Sequence, residues 1–308
     1  MNIAKQLRTL QKATGWSQEQ LAAQLEVSFA TLNSWFNERS IPRVKSKQKI
    51  ENLYLNVIGA DMVAEADLEQ AKKSALGLKA DTHSIVSNPA QLDALVLHLT
   101  YHTNTIEGST MTLSDVADVL FDHKVLSDRT AIEQAEARNH QATLLWLMQQ
   151  LVEKGKQLQI DAALIMNIHL RLMNGIISDA GEYRRHSVRI QGANVPLANW
   201  QVVADRIDTL TQTLNGTSSD IIATLAKTHT EFEQIHPFSD GNGRTGRVIL
   251  LVQALQAGLL PPVVVKERKF AYYKYLRNAQ IRQNYASLEL FIAQSMQFAE
   301  DLLSSLSR

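Results

Sequence analysis

The chain contains no cysteine, and this absence excludes disulfide bonds, thiolate metal sites and cysteine nucleophiles together. An excess of charge is also missing: 31 Lys and Arg side chains balance 31 Asp and Glu side chains, so no global field attracts nucleic acid or an anionic membrane. Proline (6 residues), glycine (13) and aromatic residues (6%) are scarce in a chain of 308 residues that is 45% hydrophobic. The composition therefore predicts a folded, mostly helical protein with a sizeable core.

Long hydrophobic runs are lacking as well. The most apolar stretch, residues 248–265, is interrupted by glutamine, glycine and proline, and residues 1–12 lack the continuous apolar segment of a signal peptide. We therefore expect a soluble cytoplasmic protein that does not bind membranes.

Charge is distributed unevenly along the chain. Residues 1–50 contain eight Lys and Arg against three Glu, a net charge of +5, which leaves −5 on the other 258 residues. This asymmetry predicts a small basic module joined to an acidic body. Within the module, Ser17 and Gln20 form a capping box before a second helix, and Ser28 caps a third. Two short helices joined by about three residues are typical of a helix-turn-helix.

Helical patterns fill most of the body, so the expected fold class is all-α. We predict a polar break at 84–89, and one short β-hairpin within 181–200, where Val188 and Ile190 alternate with Arg189 and Gln191. Trp146 and Trp200 are expected to be core anchors. The predicted division is a helix-turn-helix domain at 1–55, a connecting helix and linker at 56–90, and a domain at 91–308.

The residues that carry chemistry lie between two helical patterns, from His236 to Arg247, in the sequence HPFSDGNGRTGR. Gly241 and Gly243 allow backbone N–H groups to converge into an anion nest, and the helix that follows adds its positive dipole end. Asp240 is a hard oxygen ligand of the kind that holds Mg²⁺ together with phosphate oxygens. His236 supplies an imidazole that can accept a proton. Together these groups predict transfer chemistry on a nucleoside polyphosphate.

The pattern His-Pro-Phe-x-Asp-Gly-Asn-Gly-Arg-x-x-Arg resembles the signature of the Fic family, and all nine specified positions match. Members typically transfer AMP from ATP to a hydroxyl side chain of a target protein and release pyrophosphate. The resemblance implies that His236 deprotonates the target hydroxyl and that Asp240 binds Mg²⁺. It also implies a nucleotide-binding set that comprises Asp240, Gly241, Asn242, Gly243, Arg244, Thr245, Gly246 and Arg247.

The similarity extends over about 91–298. Val188, Arg189, Ile190 and Gln191 resemble the family's flap, which holds the target segment by strand addition. Tyr272, Tyr273 and Gln280 fall where the family lines its adenine pocket, although asparagine is commoner than glutamine at the last position.

A second motif, Thr103-Asn104-Thr105-Ile106-Glu107-Gly108, resembles the family's inhibitory helix, here at about 91–107. In such members the glutamate pairs with the second motif arginine, here Arg247, and crowds the γ-phosphate position. The resemblance implies a latent enzyme restrained by Glu107. In some members the same glutamate promotes removal of AMP, and the sequence does not choose between these roles.

Residues 17–42 resemble the Cro/repressor helix-turn-helix family. By that likeness Gln18 approaches a DNA phosphate, while Phe29, Ala30, Thr31 and Ser34 face the major groove. The alternative is a helical module used for dimerisation or for docking the target. A homodimer fits the first interpretation, although no separate dimerisation element is evident. The competing function for the whole chain is a DNA-binding regulator that uses the body as a nucleotide sensor without turnover.

Overall fold

The computed structural model describes residues 3–60, 63–190 and 195–306. The fold is all-α, as predicted. In chain order the helices are α1 (Ile3–Thr14), α2 (Gln18–Gln24), α3 (Phe29–Phe36), α4 (Val44–Val57), α5 (Glu65–Gly77), α6 (Thr82–Ser87), α7 (Pro89–Glu107), α8 (Leu113–Leu120), α9 (Ala131–Lys154), α10 (Ala162–Met173), α11 (Val203–Leu214), α12 (Ile221–Ile235), α13 (Asn242–Gln256), α14 (Lys269–Arg282) and α15 (Ala286–Ser305). None of the helices within the described ranges combines the length and apolar character needed to cross a bilayer.

The N-terminal helices α1 to α4 surround a hydrophobic core of their own. The predicted capping box is present, since Ser17 Oγ accepts from the Gln20 N–H and the Ser17 N–H donates to Gln20 Oε1. Ser28 caps α3 by accepting from the Thr31 N–H. The core of this module consists mainly of Leu7, Leu10, Leu21, Leu25, Leu32, Trp35, Phe36, Ile50 and Tyr54.

The module is attached to the body by polar and apolar contacts. Arg268, just before α14, makes a two-pronged ion pair with Glu51 on α4, with nitrogen–oxygen distances of 2.6 and 3.1 Å. Lys5 on α1 pairs with Asp67 on α5 at 2.9 Å. Leu55 at the end of α4 packs into the body core. The basic module is therefore docked against the helices that follow it.

The body buries a large core between α7, α9, α10, α12 and α13, and a second core joins α12 and α13 to α14 and α15. Helix α13, which follows the HPFSDGNGRTGR motif, contributes to both cores: Val248, Leu251 and Val252 pack in the first and Leu250 in the second. Burial of these side chains fixes α13 rigidly within the bundle, because interiors are close-packed. The first turn of α13 is therefore presented from a fixed scaffold.

Two local predictions were wrong. The expected polar break at 84–89 contains the short helix α6, because Asp81 caps it and Ile85 is buried in the main core. Trp200, expected as a core anchor, is 39% exposed. It lies in a 3-10 turn ahead of α11, and it is Val203, in the first turn of that helix, that enters the core.

The predicted β-hairpin is not confirmed. Residues 181–190 and 195–199 form turns and extended segments without strand pairing, and Gln191 lies outside the described residues. Backbone groups at the base of this segment bond to the body instead: the Arg184 N–H donates to the Pro237 carbonyl and the Ala198 N–H to the Gln234 carbonyl. An isolated two-stranded hairpin is marginal in water, so the alternating sequence alone does not produce a ladder.

Candidate active site

The motif loop joins the end of α12 to the start of α13. His236 ends α12 in a left-handed conformation (φ 51°), and Gly241 precedes α13 with φ 76°. Between them, the Asn242 side chain closes the loop on both sides of one residue: its Oδ1 accepts from the Phe238 N–H and its Nδ2 donates to the Phe238 carbonyl, both at 2.9 Å. The carboxyl end of α12 and the amino end of α13 are therefore held together.

The His236 imidazole is oriented for base chemistry. Its Nδ1 lies 3.3 Å from the Glu233 carbonyl oxygen, and because a carbonyl only accepts, Nδ1 carries the proton and Nε2 is left unprotonated. Burial lowers the pKa of His236 to about 4, although the hydrogen bond to Glu233 acts in the opposite direction. The imidazole is thus neutral at pH 7, with a lone pair on Nε2 available to accept a proton.

Arg184 secures the backbone on the His236 side of the loop. The side chain is 3% exposed, and its Nε donates to the His236 carbonyl at 2.7 Å. Its terminal nitrogens donate to the carbonyls of His186, Ala198 and Ile235. A buried guanidinium needs such a set of acceptors to offset its desolvation. Arg184 therefore ties the base of the 185–198 segment to the histidine that ends α12.

The first turn of α13 is suited to an anion. The N–H groups of its first residues have no carbonyl partner within the helix, and Gly241 lets the chain turn above Met173, where a Cβ would lie 2.7 Å from Sδ. Asp240 lies beside this turn with its side chain 64% exposed; its Oδ1 accepts from the Gly241 N–H at 2.7 Å. Among the described residues there is no cluster of three or more metal-ligating side chains. One open carboxylate beside an anion site suits Mg²⁺, which binds through one or two carboxylates together with phosphate oxygens.

Arg244 is buried next to Asp240, with 5% of its side chain exposed. Its Nη1 donates to Glu136 of α9, and its Nη2 lies 3.6 Å from Asp240 Oδ2. Its Nε is buried and has no hydrogen-bond partner among the described residues. A buried donor without an acceptor is costly, so this nitrogen marks a position where a ligand acceptor fits.

Arg247 lies on the same helix and is held by α7. Its Nε donates to Thr103 Oγ1 at 2.7 Å and its Nη2 to Glu107 Oε1 at 2.5 Å. Burial acts to raise the pKa of Glu107, but the charge of Arg247 and its hydrogen bond hold that pKa below the usual value. Glu107 also lies over the first turn of α13, since a Cβ on Gly243 would be 2.5 Å from its Oε1. The two residues of the predicted inhibitory pair are therefore in direct contact.

The remaining residues predicted to bind nucleotide divide into two groups. Thr245 is fully buried with its hydroxyl bonded to the Gly241 carbonyl, and Gly246 packs against Phe232 and Glu233 of α12, so both face the interior. Tyr272 is buried with its hydroxyl 2.7 Å from His229 Nε2, whereas Tyr273 beside it is 38% exposed.

Gln280 lies two turns beyond these tyrosines and lines a groove of about 760 Å³. Helices α11 and α12, the end of α14 and residues 196–198 form its walls. The Gln280 Nε2 is buried without a partner among the described residues. The flap residues Val188, Arg189 and Ile190 line a separate depression together with Val195 and residues 197–201.

The predicted DNA-contact residues share one side of the N-terminal module. Phe29 is 46% exposed and Ala30 is exposed at the start of α3. The other three are half-buried and form local bonds: Gln18 accepts from Asn33, Thr31 contacts the Ser28 hydroxyl, and Ser34 contacts the Ser40 hydroxyl.

Three side chains that hold the site were not predicted as site residues: Glu136, Arg184 and Thr103. Thr103 lies in the predicted inhibitory motif and Arg184 in the predicted hairpin region, so the sequence pointed to both segments but not to the roles of these two side chains. Glu136 lies on α9, 108 residues before its partner Arg244, and no local pattern signals such a pair.

Comparison with known proteins finds matches to both families that the sequence resembles. Residues 159–254 match the Fic/DOC family, and residues 5–54 match a helix-turn-helix family. The protein adenylyltransferase Fic of Aedes aegypti is 27% identical over 252 residues, which cover 81% of this chain and 48% of that protein. The Drosophila erecta protein of the same name is 30% identical over 233 residues, covering 71% of this chain and 45% of the relative. The chain thus spans less than half the length of these curated relatives.

Solved structures share the fold. Fic-1 of C. elegans superposes with a TM-score of 0.66 at 19% identity, covering 94% of this chain and 85% of that one. A Fic family protein from Desulfovibrio desulfuricans G20 gives a TM-score of 0.64 at 23% identity, covering 80% of this chain and 77% of its own. The chain therefore contains a Fic/DOC-family domain, preceded by an N-terminal helix-turn-helix domain.

Proposed function

We propose that the protein is an autoinhibited adenylyltransferase that transfers AMP from ATP to a Tyr, Thr or Ser hydroxyl of a target protein. One observation carries the proposal: a neutral imidazole with a free Nε2 ends α12 beside the anion-binding first turn of α13, which carries Arg244 and Arg247. The relatives named protein adenylyltransferase support the same chemistry.

In the proposed reaction the target hydroxyl oxygen attacks the α-phosphorus of ATP. A bond forms between that oxygen and phosphorus, the bond from the α-phosphorus to the bridging oxygen of the β-phosphate breaks, and pyrophosphate leaves with the bonding electrons. His236 Nε2 takes the hydroxyl proton as the new bond forms. Burial lowers the pKa of the imidazole to about 4, so the ring is unprotonated at neutral pH and Nε2 is available to take the proton.

The other groups of the site position the triphosphate. The backbone N–H groups of Gly241, Asn242 and Gly243 would hold α- and β-phosphate oxygens. Arg244 would bind the β-phosphate, and its unpartnered buried Nε is in keeping with an absent acceptor. Asp240 would hold Mg²⁺, which neutralises charge on the phosphates when bound. Positioning and charge neutralisation supply most of the rate enhancement in this class of reaction.

The side chain that restrains the reaction in this proposal is Glu107. Its contact with Arg247 occupies the guanidinium that would otherwise orient the γ-phosphate, and it places a carboxylate over the first turn of α13. A negative charge there repels a triphosphate and favours a pose unsuited to in-line attack. The same carboxylate is also close enough to α13 to orient a water for the reverse reaction, removal of AMP.

Tyr272, Tyr273 and Gln280 would line the adenine pocket. Only the Gln280 contribution has support in the geometry, since this residue lines the groove beside α11 and α12 and its buried Nε2 has no partner among the described residues. Residues 188–191 would hold an extended segment of the target through backbone hydrogen bonds. That mode of binding reads little of the target's side-chain sequence, so the target itself is left open.

The direct test compares protein incubated with [α-³²P]ATP and with [γ-³²P]ATP, using the wild type and Glu107→Gly. AMP transfer leaves label on protein from the α position and none from the γ position, with more label in Glu107→Gly. Label from the γ position means kinase chemistry instead, and no label from either, with added candidate targets, contradicts the transferase proposal.

A second candidate function is DNA binding by the N-terminal module. What favours it are the exposed Phe29 and Ala30 at the start of α3, together with the exposed cations Arg39, Arg43 and Lys45 that follow α3 in the chain. In its strongest form the body serves only as a nucleotide sensor. A base oriented like His236 has no use in such a sensor, so we rank transfer first.

A further inference from the structure

His169 lies on α10, outside the motif, and is completely buried. Its two ring nitrogens have opposite hydrogen-bonding roles. The Gly181 N–H donates to Nδ1 at 2.9 Å, so Nδ1 carries no proton, and Nε2 donates its proton to the Asp240 carbonyl at 3.0 Å. The ring therefore joins the start of the 181–198 segment to the backbone of the residue proposed to hold Mg²⁺.

Packing fixes the orientation of this ring. It stacks on Phe238 with ring centroids 3.6 Å apart and an angle of 3° between the planes. Together with Met173, one turn further along α10, it lies directly under Gly241, where a Cβ would be 3.3 Å from Nε2. The motif loop thus rests on one face of α10, and His169 is the member of that face that bonds to the loop backbone.

We infer that His169 is a positioning residue for Asp240: it anchors the Asp240 carbonyl so that the carboxylate is presented toward the first turn of α13. The inference rests on the proposed function. A flat ring that accepts at one edge and donates at the other is required, because both Gly181 N–H and Asp240 C=O would otherwise lose a buried partner. Residues that orient a metal ligand from behind typically affect metal affinity by about 10- to 100-fold.

Two substitutions separate hydrogen bonding from packing. His169→Phe keeps a ring on Phe238 but removes both hydrogen bonds, whereas His169→Gln loses the ring and keeps a donor and an acceptor. His98→Phe is the matched control, since His98 also packs against an aromatic ring and its Nδ1 has no hydrogen-bond partner among the described residues. All variants carry Glu107→Gly, so that Arg247 is free.

The measurement is ATP affinity by calorimetry with Mg²⁺ and with EDTA. We expect Mg²⁺ to tighten ATP binding in the parent and in His98→Phe. In His169→Phe the tightening by Mg²⁺ should be about tenfold smaller, and in His169→Gln it should be partly restored. Affinity in EDTA should stay nearly constant, because the N–H groups of α13 remain. Asp240→Asn sets the lower limit of the Mg²⁺ effect.

If Mg²⁺ tightens ATP binding in folded His169→Phe as much as in the parent, the role of His169 alone is overturned. The same conclusion follows if Mg²⁺ tightens ATP binding more in His169→Phe than in His169→Gln. A parent without any Mg²⁺ effect overturns the metal assignment of Asp240, and this inference with it. An independent readout is the ¹⁵N spectrum of the histidine rings near pH 7. The His169 signals should show protonation at Nε2 only, and protonation at Nδ1 contradicts the inferred bonds.

Discussion

The chain has two surfaces suited to polyanions, and they are built in opposite ways. At the start of α13 both arginines are buried and already paired with glutamates from other helices, Glu136 and Glu107. On α3 two of the predicted contact residues, Phe29 and Ala30, are exposed, and Thr31 and Ser34 are half-buried and bond to close neighbours in sequence. The first site therefore has arginines of fixed geometry whose charge is already paired. The second has uncharged contact residues on α3, with exposed cations in the residues that follow, at 39, 43 and 45.

This difference decides how strongly each surface should respond to mutation. Removing one partner of a buried ion pair leaves the other side chain with an uncompensated charge, or makes that side chain available to a ligand. The effect on stability or on ligand binding is large in either case. Exposed charges are screened by water and salt, and their individual contributions are small. Substitutions in the first surface are thus expected to change activity by orders of magnitude, and those in the second by a few-fold.

The largest effect is expected at His236. In a Glu107→Gly background, His236→Ala should lower the initial rate of AMP transfer by about 10²- to 10⁴-fold, the usual contribution of general-base catalysis. ATP affinity should hardly change, because the imidazole bonds only to the Glu233 carbonyl of α12, and the backbone carbonyl at 236 that accepts from Arg184 is retained in the variant. The measurements are label transfer from [α-³²P]ATP and calorimetric binding of ATP.

The left-handed backbone at residue 236 requires a matched variant. Asparagine tolerates φ 51° better than alanine does, so His236→Asn removes the base with less strain. Both variants should lose transfer to a similar degree. A folded His236→Asn that keeps a tenth or more of the parent rate, as an order of magnitude, is incompatible with the assigned base.

The next largest effect is expected at Glu107. A charge-assisted hydrogen bond is worth about 1.5–3 kcal/mol, so Glu107→Gly should raise the rate of self-labelling on the order of 10- to 100-fold. Glu107→Gln removes the charge but keeps a side chain over α13, and an intermediate rate is expected. Glu153→Gln, on the exposed end of α9, is the control and should match the wild type. If Glu107→Gly labels no faster, the ion pair with Arg247 is structural only.

The sequence predicts the two surfaces unequally well. Helix starts such as Ser17 and Ser28 were predicted correctly, because a capping side chain bonds within three residues of itself. The contact between Glu107 and Arg247 was expected from a family resemblance, and the two side chains do meet. No short-range pattern reveals Glu136 or His169, whose partners are 108 and 71 residues away. The domain boundaries at 55 and 90 stay predictions.

Acid should destabilise the body more than the N-terminal module, because the buried histidines lie in the body and residues 1–55 contain no histidine. Burial lowers the pKa values of His102, His140 and His229 to about 3. At these histidines the unfolded chain therefore binds more protons than the folded body between about pH 3 and 6.5. Their contribution to the free energy of unfolding falls as pH decreases through that window and is flat above it, whereas Glu233, whose pKa burial raises to about 7, contributes in the opposite direction. Each of these histidines costs up to about 2 kcal/mol at pH 5.

Thermal unfolding between pH 5 and 8 measures this effect. The melting temperature should drop below pH 6.5, and His102→Gln should flatten the drop while His83→Gln, an exposed control, should not. With Trp146→Phe and Trp200→Phe, fluorescence reports only Trp16 and Trp35 of the N-terminal module. We expect the melting temperature of the module to stay unchanged below pH 6.5 while that of the body falls. A melting temperature of the body that does not depend on pH contradicts the prediction.

The smallest effect is expected on DNA binding. Arg43 and Lys45 are exposed at the start of α4, and each phosphate contact contributes about 0.9 to the slope of log affinity against log salt. Arg43→Ala with Lys45→Ala should therefore weaken binding to a random-sequence duplex several-fold at low salt and reduce the slope by about 2. Electrophoretic mobility shift over a salt series measures both quantities, with Lys154→Ala plus Lys156→Ala on the body as the control pair. If the wild type does not shift the duplex even at low salt, DNA binding by the module is contradicted, and docking or dimerisation is left as its role.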